Sequence, residues 1–218
     1  IQTAWTEPTW SFHGEFYNYD NVGIWPRPLR PELPIWVTAL SPNTVAWAAK
    51  NNFRFTSVFS PTEQMRTIFD GYRKAAADAG REAQPSDMGV CRNVVIADSE
   101  QEARDLAEPA FDALFAAFKE AAVFHDLDNV PAGYEHYQSF FRPFAGDDVS
   151  FDALVSIGAI CVGTPEIVRD QIVDQMETIG CGNFLNWGYF RTLTKEQTMR
   201  SYQLFDEHVA PVLRRLYV

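Results

Sequence analysis

The order of apolar and polar residues predicts repeated strand–helix units along most of the chain. Apolar, β-branched runs bounded by turn residues predict about four principal strands, over 34–40, 53–59, 88–97 and 183–190. Amphipathic segments between and after these runs predict helices over 42–51, 61–79, 100–123, 163–178 and 194–215. Because strands that alternate with helices form parallel sheets, the pattern predicts an α/β fold, either a barrel or an open doubly wound sheet. No glycine-rich dinucleotide fingerprint follows any predicted strand, which argues against the Rossmann type.

Two segments interrupt this pattern. Residues 1–33 are irregular, and within them 12–17 predicts a turn that leads into a short edge strand. Residues 125–155 combine proline, glycine and aspartate with many aromatic residues and show no clear period. Long aperiodic loops inside regular domains are either lids or disordered segments, and the aromatic density favours a mobile lid that packs when closed. A short apolar segment, 154–162, follows.

The junction between the first predicted strand and its helix is the strongest candidate binding site. The strand ends near Ala39, Ser41 is a typical N-cap residue, and Pro42 stands at the first helical position, where its missing N–H costs nothing. Asn43 and Thr44 complete the first turn. Free N–H groups and the helix dipole suit an anion such as phosphate, and α/β folds bind ligands at the carboxyl ends of their strands. The alternative interpretation is a well-capped helix that binds nothing.

Composition and charge restrict the class of protein. The 218 residues are 46% hydrophobic and 22% charged, as in an average soluble globular protein. A net charge of −11 argues against nucleic-acid and anionic-membrane partners, and no apolar run is long enough to predict a membrane span. The widely spaced cysteines, Cys91, Cys161 and Cys181, fit reduced thiols in a cytoplasmic protein better than a disulfide framework. No Cys/His spacing resembles a zinc site, so no metal is expected.

Several short motifs occur in an order and spacing that are specific as a set. They are Phe12–Tyr17, Trp25–Leu29 with Pro34–Val37, the junction at Ser41 and Thr44 with Trp47–Ala49, Val162–Glu166, Gly180–Gly188, Ser201–Phe205 and Val209–Leu213. With these motifs the chain resembles the bacterial luciferase-like flavin monooxygenases, and the resemblance runs across almost all 218 residues.

The resemblance implies a (β/α)₈ barrel of the TIM-barrel type that binds reduced FMN and forms a homo-oligomer, usually a dimer. It implies a monooxygenase that oxygenates a small organic substrate with reduced FMN and O₂, and a flavin reductase that supplies the reduced flavin. The family's phosphate-contacting hydroxyls fall on Ser41 and Thr44, whereas a flavin-neighbouring carboxylate falls near Leu40, which cannot replace it. Two alternatives stay open: a deazaflavin (F420)-dependent oxidoreductase of the same fold, and a non-catalytic flavin-binding or partner subunit.

The resemblance also implies that residues 1–218 are the carboxyl-terminal portion of one barrel domain. The family's first strands and most of its acid/base and thiol residues then lie in a preceding segment, so no catalytic residue is assigned. Since about four strands cannot close an eight-stranded barrel, we expect the chain alone to dimerise, to pair with the missing strands or to aggregate, and to be inactive.

The other candidate site residues carry weaker signals. Trp187 and Gly188 end the last predicted strand, where an indole is suited either to line a flavin pocket or to pack in the barrel rim. Thr164 begins a helix and is more consistent with capping than with a second anion site. His125 and His136 fall in the predicted lid, where solvent-facing or locally bonded histidines are more common than substrate ligands. The three cysteines lie in apolar contexts and are predicted to be inert packing residues.

Overall fold

The structure of the protein, a computed structural model, describes residues 1–30, 32–120, 127–132, 134–136, 138 and 150–217. The chain divides into two compact units, residues 1–35 and 36–218. About half of the predicted lid at 125–155, including residues 139–149, lies outside the described residues, so the lid stays a prediction. Its last residues differ from the prediction, because Phe151 and Leu154 are buried in a helix that begins after the N-cap Ser150.

The first unit contains a short helix and a hairpin where the sequence predicts largely irregular structure. Helix α1 is Gln2–Thr6, and strands β1 (Trp10–His13) and β2 (Asn18–Val22) pair antiparallel. The predicted turn lies between these strands, where the Gly14 N–H donates to the Tyr17 carbonyl at 2.9 Å. Strand β1 was not predicted because it is only four residues long and three of them are exposed, so its apolar alternation, Trp10 and Phe12, is too short to indicate a strand.

The second unit follows the predicted order of strands and helices. Its strands are β3 (Trp36–Thr38), β4 (Arg54–Val58), β5 (Met88–Ile96), β6 (Ile160–Gly163) and β7 (Asn183–Trp187). Its helices in the described residues are α2 (Pro42–Lys50), α3 (Thr62–Asp78), α4 (Glu100–Glu120), α5 (Phe151–Ser156), α6 (Pro165–Ile179), α7 (Lys195–Leu204) and α8 (Ala210–Tyr217). A 3₁₀ turn, Pro85–Asp87, leads into β5, and a π-helical turn, Phe205–Val209, joins α7 to α8. No described helix is long and apolar enough to cross a membrane.

The five strands described in the second unit form one parallel sheet, which confirms the predicted α/β class. Strand β3 pairs with β4, and β4 pairs with the first half of β5. Strand β7 lies along the opposite edge of β5, from Gly89 to Asn93, and β6 pairs with the second half of β5. The long strand β5 therefore holds three neighbours. Because all pairings are parallel, the carboxyl ends of the strands face the same edge of the sheet.

Helices cover one face of the sheet. Phe55 of β4 is fully buried, and its ring lies 5.5 Å from the ring of Tyr72 and 4.9 Å from that of Phe69, both in α3. Side chains alternate along a strand, so the neighbours Arg54 and Thr56 face the opposite side. We call that opposite side the second face.

The second face keeps large apolar side chains partly exposed. Trp36, Leu185 and Trp187 retain 36–40% of their accessible surface. The Arg54 guanidinium lies 5.6 Å from the centre of the Trp36 ring. Gly89 lies beneath these side chains, because a Cβ there would come within 3.0 Å of Leu185 and 3.2 Å of Trp36. A glycine at this position lets the two large side chains approach each other over β5.

Two regions differ from the sequence prediction. The apolar segment 154–162 divides at Gly158, whose φ of +70° separates α5 from β6, a fifth parallel strand. The last strand ends at Trp187 instead of 190. The predicted closing helix is interrupted by the π-helical turn and continues to Tyr217.

Candidate functional site

The turn from β3 into α2 brings three polar residues to the carboxyl edge of the sheet. The Ala39 N–H donates to the Thr56 carbonyl at 3.1 Å, which extends the β3–β4 ladder by one residue before the chain turns. The Ser41 Oγ accepts a hydrogen bond from the Thr44 N–H at 3.1 Å and donates one to Thr44 Oγ1 at 2.7 Å. Ser41 and Thr44 are half-buried, and Asn43 is exposed. The predicted cap is therefore confirmed, and its two hydroxyls are held together.

This hydroxyl pair leaves a donor for a ligand. Because Ser41 donates the bond between the two oxygens, the Thr44 hydroxyl proton is not used in that bond. The first N–H groups of a helix have no partner within it, and the helix dipole adds partial positive charge at the same end. Since Pro42 has no N–H and the Thr44 N–H is bonded to Ser41, an anion at the start of α2 would meet a hydroxyl, the Asn43 N–H and a favourable field.

The start of α2 differs from those of the other helices that follow strands of this sheet. Acidic residues occupy the first turns of α3, α4, α6 and α7. The first turn of α2 contains none. An acidic side chain in this position neutralises the positive end of the dipole and repels other anions. Among the described helices of this kind, α2 has the start best suited to an external anion.

The start of α6 shows the opposite arrangement. Thr164 is the N-cap residue, but its hydroxyl donates to the Glu166 carboxylate at 3.0 Å and accepts no helix N–H. The backbone N–H of Glu166 and the Thr164 hydroxyl together hold the pKa of the Glu166 carboxyl below its usual value. A negative charge already lies at this helix start. This arrangement argues against a second anion site, and Thr164 occupies the N-cap position without making the side-chain capping bond that the sequence predicts.

Trp187 ends β7 at the same carboxyl edge of the sheet. Its indole is 40% exposed and contacts the Phe59 ring edge-on, with 5.4 Å between ring centroids. Its carbonyl accepts a hydrogen bond from Asn93 Nδ2 at 3.2 Å. The next residue, Gly188, is buried, and a Cβ there would come within 3.2 Å of the Tyr202 ring. The Trp187 indole is thus partly exposed at the carboxyl edge, whereas Gly188 is small because Tyr202 packs against it.

The predicted site residues form two groups and not a single cluster. One group, at the end of β3, is Ala39, Ser41, Asn43 and Thr44, and the other, at the end of β7, is Trp187 and Gly188. Strands β4 and β5 lie between β3 and β7, so the two groups are three strand spacings apart, roughly 14 Å across the sheet, and β7 ends further along β5 than β3 does. A ligand that reaches both groups must be elongated.

Sequence reasoning missed several residues near these groups. Thr56 Oγ1 is buried on the second face and has no hydrogen-bond partner in the described part of the chain. Asn93 holds the end of β7, Arg92 is buried beside it, and Phe59 contacts Trp187. A sequence signal exists for Arg92 and Asn93, because they form a polar pair inside an otherwise apolar strand.

The cysteines are packing residues, and the histidines stay unassigned. Burial raises the pKa of Cys91, and it raises the pKa of Cys161 and of Cys181 to about 11, so these thiols stay protonated at neutral pH. His136 is half-buried with its ring 6.4 Å from that of Tyr134, and the position of His125 lies outside the described residues. Among the residues described, no group of three His, Cys, Asp or Glu could hold a metal ion.

Comparison with known proteins assigns the family. The family profile described as luciferase-like monooxygenase matches residues 1–181, which is most of the chain. The protein belongs to this luciferase-like family. The match confirms the resemblance that the order of motifs indicates, and it includes both the β3–α2 junction and the Thr164 helix start.

Several relatives of this luciferase-like protein are monooxygenases, and one of them, the oxygenase component of a trigonelline monooxygenase, is named as flavin-dependent. The 2,5-diketocamphane 1,2-monooxygenase 2 of Pseudomonas putida is 28% identical over 191 residues, which make up 84% of this chain and 50% of that enzyme. The chain spans about half the length of the curated relatives it matches. The comparisons therefore show the family.

Solved structures show the fold of this luciferase-like protein. The oxygenating constituent of 3,6-diketocamphane monooxygenase from Pseudomonas putida, in complex with FMN, has a TM-score of 0.70 and 20% identity, covering 96% of this chain and 60% of that one. The coenzyme F420-dependent tetrahydromethanopterin reductase of Methanopyrus kandleri has a TM-score of 0.61 and 15% identity, covering 97% of this chain and 60% of that one. The fold is therefore α/β with a parallel sheet, of the luciferase-like TIM-barrel type.

Proposed function

We propose that the protein is a flavin-dependent monooxygenase that uses reduced FMN and O₂ to oxygenate a small organic substrate. The observation that carries this proposal is the start of α2, where two linked hydroxyls and no acidic side chain meet at the carboxyl end of a parallel strand. In α/β folds this is the position where phosphate groups bind. Membership of the luciferase-like family supplies the chemistry that such a site would serve.

The two groups of site residues fit FMN in both shape and charge. FMN is elongated, with a phosphate and a planar ring system at opposite ends of a ribityl chain. Ser41, Thr44 and the N–H of Asn43 would hold the phosphate, with Ala39 fixing the end of the strand beside them. Trp187 and the backbone at Gly188 would line the flavin ring. Three strand spacings, about 14 Å across the sheet, lie between these residues and the phosphate group's residues.

The protein's contribution to the reaction is binding, orientation and exclusion of water. When reduced FMN is bound, the flavin supplies the activation of O₂ and the transfer of one oxygen atom. Ser41 and Thr44 anchor one end of the cofactor, so that the ring end has a fixed position against Trp187. The apolar second face, with Trp36 and Leu185, limits access of water on that side of the sheet. No acid or base is assigned, because no described residue of this site has the required chemistry and position.

The partners follow from the proposed chemistry. A flavin reductase would supply reduced FMN. One relative is named as the oxygenase component of a trigonelline monooxygenase, and such a name is consistent with a separate reductase partner. We also propose that the protein forms a homo-oligomer in the cytoplasm. Residues 1–218 would be the carboxyl-terminal part of a barrel domain. The net charge of −11 disfavours nucleic acid and anionic membranes as partners.

Two alternatives remain testable. Likeness to an F420-dependent reductase favours a deazaflavin as the second candidate cofactor, with hydride transfer in place of oxygen transfer. A non-catalytic flavin-binding subunit is the third candidate. Titration of the protein with FMN and with F420, followed by absorbance, separates the cofactors.

Turnover separates an enzyme from a binding subunit. The protein is supplied with reduced FMN and ¹⁸O₂ together with cyclic ketones and aldehydes, the compound classes in the names of its relatives. A monooxygenase places one ¹⁸O atom in the product, as mass spectrometry would show. FMN binding without any labelled product would instead support the non-catalytic subunit.

A further inference from the structure

Arg92 is a buried cation whose two hydrogen-bond acceptors are uncharged. It lies in the middle of β5, is 1% exposed, and faces the helix-covered side of the sheet. Its Nε donates to Gln175 Oε1 at 2.7 Å, and its Nη1 donates to the Ser60 carbonyl at 2.7 Å. Burial lowers the pKa of Arg92 to about 10, so the guanidinium stays charged at neutral pH. Burying such a group is costly, and the flavin site described above gives it no role.

The Ser60 carbonyl belongs to a strained turn at the carboxyl end of β4. The Ser60 N–H donates to the Val58 carbonyl at 2.8 Å, which closes a three-residue turn around Phe59. Phe59 has a φ of +59°, a left-handed conformation that is unfavourable for a bulky side chain. Strain of this kind persists only when surrounding contacts hold it, and it concentrates at functional sites. The bond from Arg92 holds the residue directly after the strained one.

The strained turn and the end of β7 meet through their aromatic rings. The ring of Phe59 lies edge-on to Trp187 at 5.4 Å. The residue after Arg92 holds the other member of this pair, since Asn93 Nδ2 donates to the Trp187 carbonyl at 3.2 Å. Strands β4 and β7 lie on opposite edges of β5. Two consecutive residues of β5 therefore fix the backbone beside each ring.

We propose that Arg92 is a positioning residue of the flavin site, which holds the Phe59 turn through the Ser60 carbonyl and thereby sets Phe59 against Trp187. The pair forms an apolar wall at the carboxyl edge, suited to the planar flavin ring or to an apolar substrate beside it. Arginine suits this role because its rigid fork reaches Gln175 and Ser60 at the same time, which a single ammonium group does not. The claim that the pair contacts the flavin rests on the proposed function. The claim that Arg92 positions Phe59 against Trp187 does not.

The test combines a spectroscopic probe at Trp187 with FMN titration. The protein is labelled with 5-fluorotryptophan, and the ¹⁹F resonance of Trp187 is assigned as the one that Trp187→Phe removes. Arg92→Met is expected to shift or broaden this resonance and to raise the Kd for FMN on the order of tenfold. The matched control is Arg73→Met, because Arg73 likewise donates to two uncharged oxygens, in its case the backbone carbonyls of Ile179 and Gly180. The control is expected to lower stability and to leave the Trp187 resonance and the Kd unchanged.

A double-mutant cycle separates positioning from general stability. If Arg92 acts through the turn, adding Arg92→Met to a Phe59→Gly protein changes the Kd for FMN by less than about twofold. Arg92→Met still lowers the free energy of unfolding in that background. Arg92→Lys, which keeps one donor for the Ser60 carbonyl, is expected to give an intermediate Kd and resonance.

Each result decides the inference. A folded Arg92→Met protein with an unchanged Trp187 resonance would overturn it, and so would an equal change in Arg73→Met. If Arg92→Met does not fold, Phe59→Gly carries the test, because an unmoved resonance and Kd in that variant would also overturn the inference. If the resonance moves as expected but the unaltered protein does not bind FMN, the proposed function fails and the positioning of Trp187 by Arg92 stands.

Discussion

The Ser41 hydroxyl accepts a hydrogen bond from the Thr44 N–H at 3.1 Å and donates one to Thr44 Oγ1 at 2.7 Å. This pairing both caps α2 and aligns two hydroxyls at the end of β3. A helix cap needs only the first of these bonds, so the second fixes the Thr44 oxygen beside a helix start that carries no acid. This relationship is the basis of our proposal that an external phosphate binds at the start of α2.

A single charge in the first turn of α2 should separate stability from binding. Asn43 is exposed, and Asn43→Asp would place an acid in a first turn that lacks one. We expect the helix to gain about 0.3–1 kcal/mol from the dipole, while repulsion of about 1 kcal/mol weakens FMN binding roughly fivefold. Thermal unfolding and FMN titration measure the two effects. Asn43→Gln is the uncharged control, and FMN affinity that is equal in the two variants would refute the prediction.

The ring end of the proposed site should respond differently from the phosphate end. Trp187→Leu removes an aromatic contact worth about 0.5–1.5 kcal/mol, so FMN and riboflavin should both bind roughly two- to tenfold more weakly. Trp47 is the matched control, because it is also exposed and contacts an aromatic ring, that of Phe53 at 5.3 Å. Fluorescence titration with both flavins is the measurement. Equal losses in Trp187→Leu and Trp47→Leu would show that Trp187 has no special place in the site.

The contribution of Glu166 to stability should depend on pH. Its folded-state pKa is lowered, first by its own backbone N–H and then by the Thr164 hydroxyl. The stabilisation is therefore complete above the ordinary value of 4.5 and is lost as the pH falls through the folded value. We expect Glu166→Gln to lower the free energy of unfolding at neutral pH and to have little effect in strong acid, as urea titrations would show. Glu196→Gln, at the start of α7, is the comparison, and a pH-independent loss in Glu166→Gln would contradict this account.

Local chemistry made the phosphate end of the site predictable. The N-cap role of Ser41 and the start of α2 at Pro42 depend only on neighbouring residues, and the structure has both as predicted. The fold class followed in the same way from the alternation of strands and helices. The four-residue strand β6 was missed, because a short apolar run does not distinguish helix from strand until Gly158 divides it.

The ring end depends on contacts between distant parts of the chain, which a single sequence does not show. Arg92 meets Ser60 across 32 positions and Gln175 across 83 positions. The left-handed conformation of Phe59 has no local signal, since a phenylalanine rarely adopts it. Trp187 was proposed for its place at a strand end, but its contact with Phe59 required the pairing of three strands.

The comparison of FMN with riboflavin tests the central claim most directly, since riboflavin lacks the phosphate. Ser41→Ala combined with Thr44→Ala removes the one hydroxyl donor that the pair offers, a hydrogen bond to a charged group worth about 1.5–3 kcal/mol, so FMN should bind roughly ten- to a hundredfold more weakly. Riboflavin affinity should change by less than about twofold. Ser99→Ala removes the corresponding cap of α4, where the Glu102 N–H donates to Ser99 Oγ at 3.2 Å, and should leave both affinities unchanged. Calorimetric titration of the folded variants gives these values; an unchanged FMN dissociation constant in the double variant, or an equal loss for riboflavin, would contradict a phosphate site at Ser41 and Thr44.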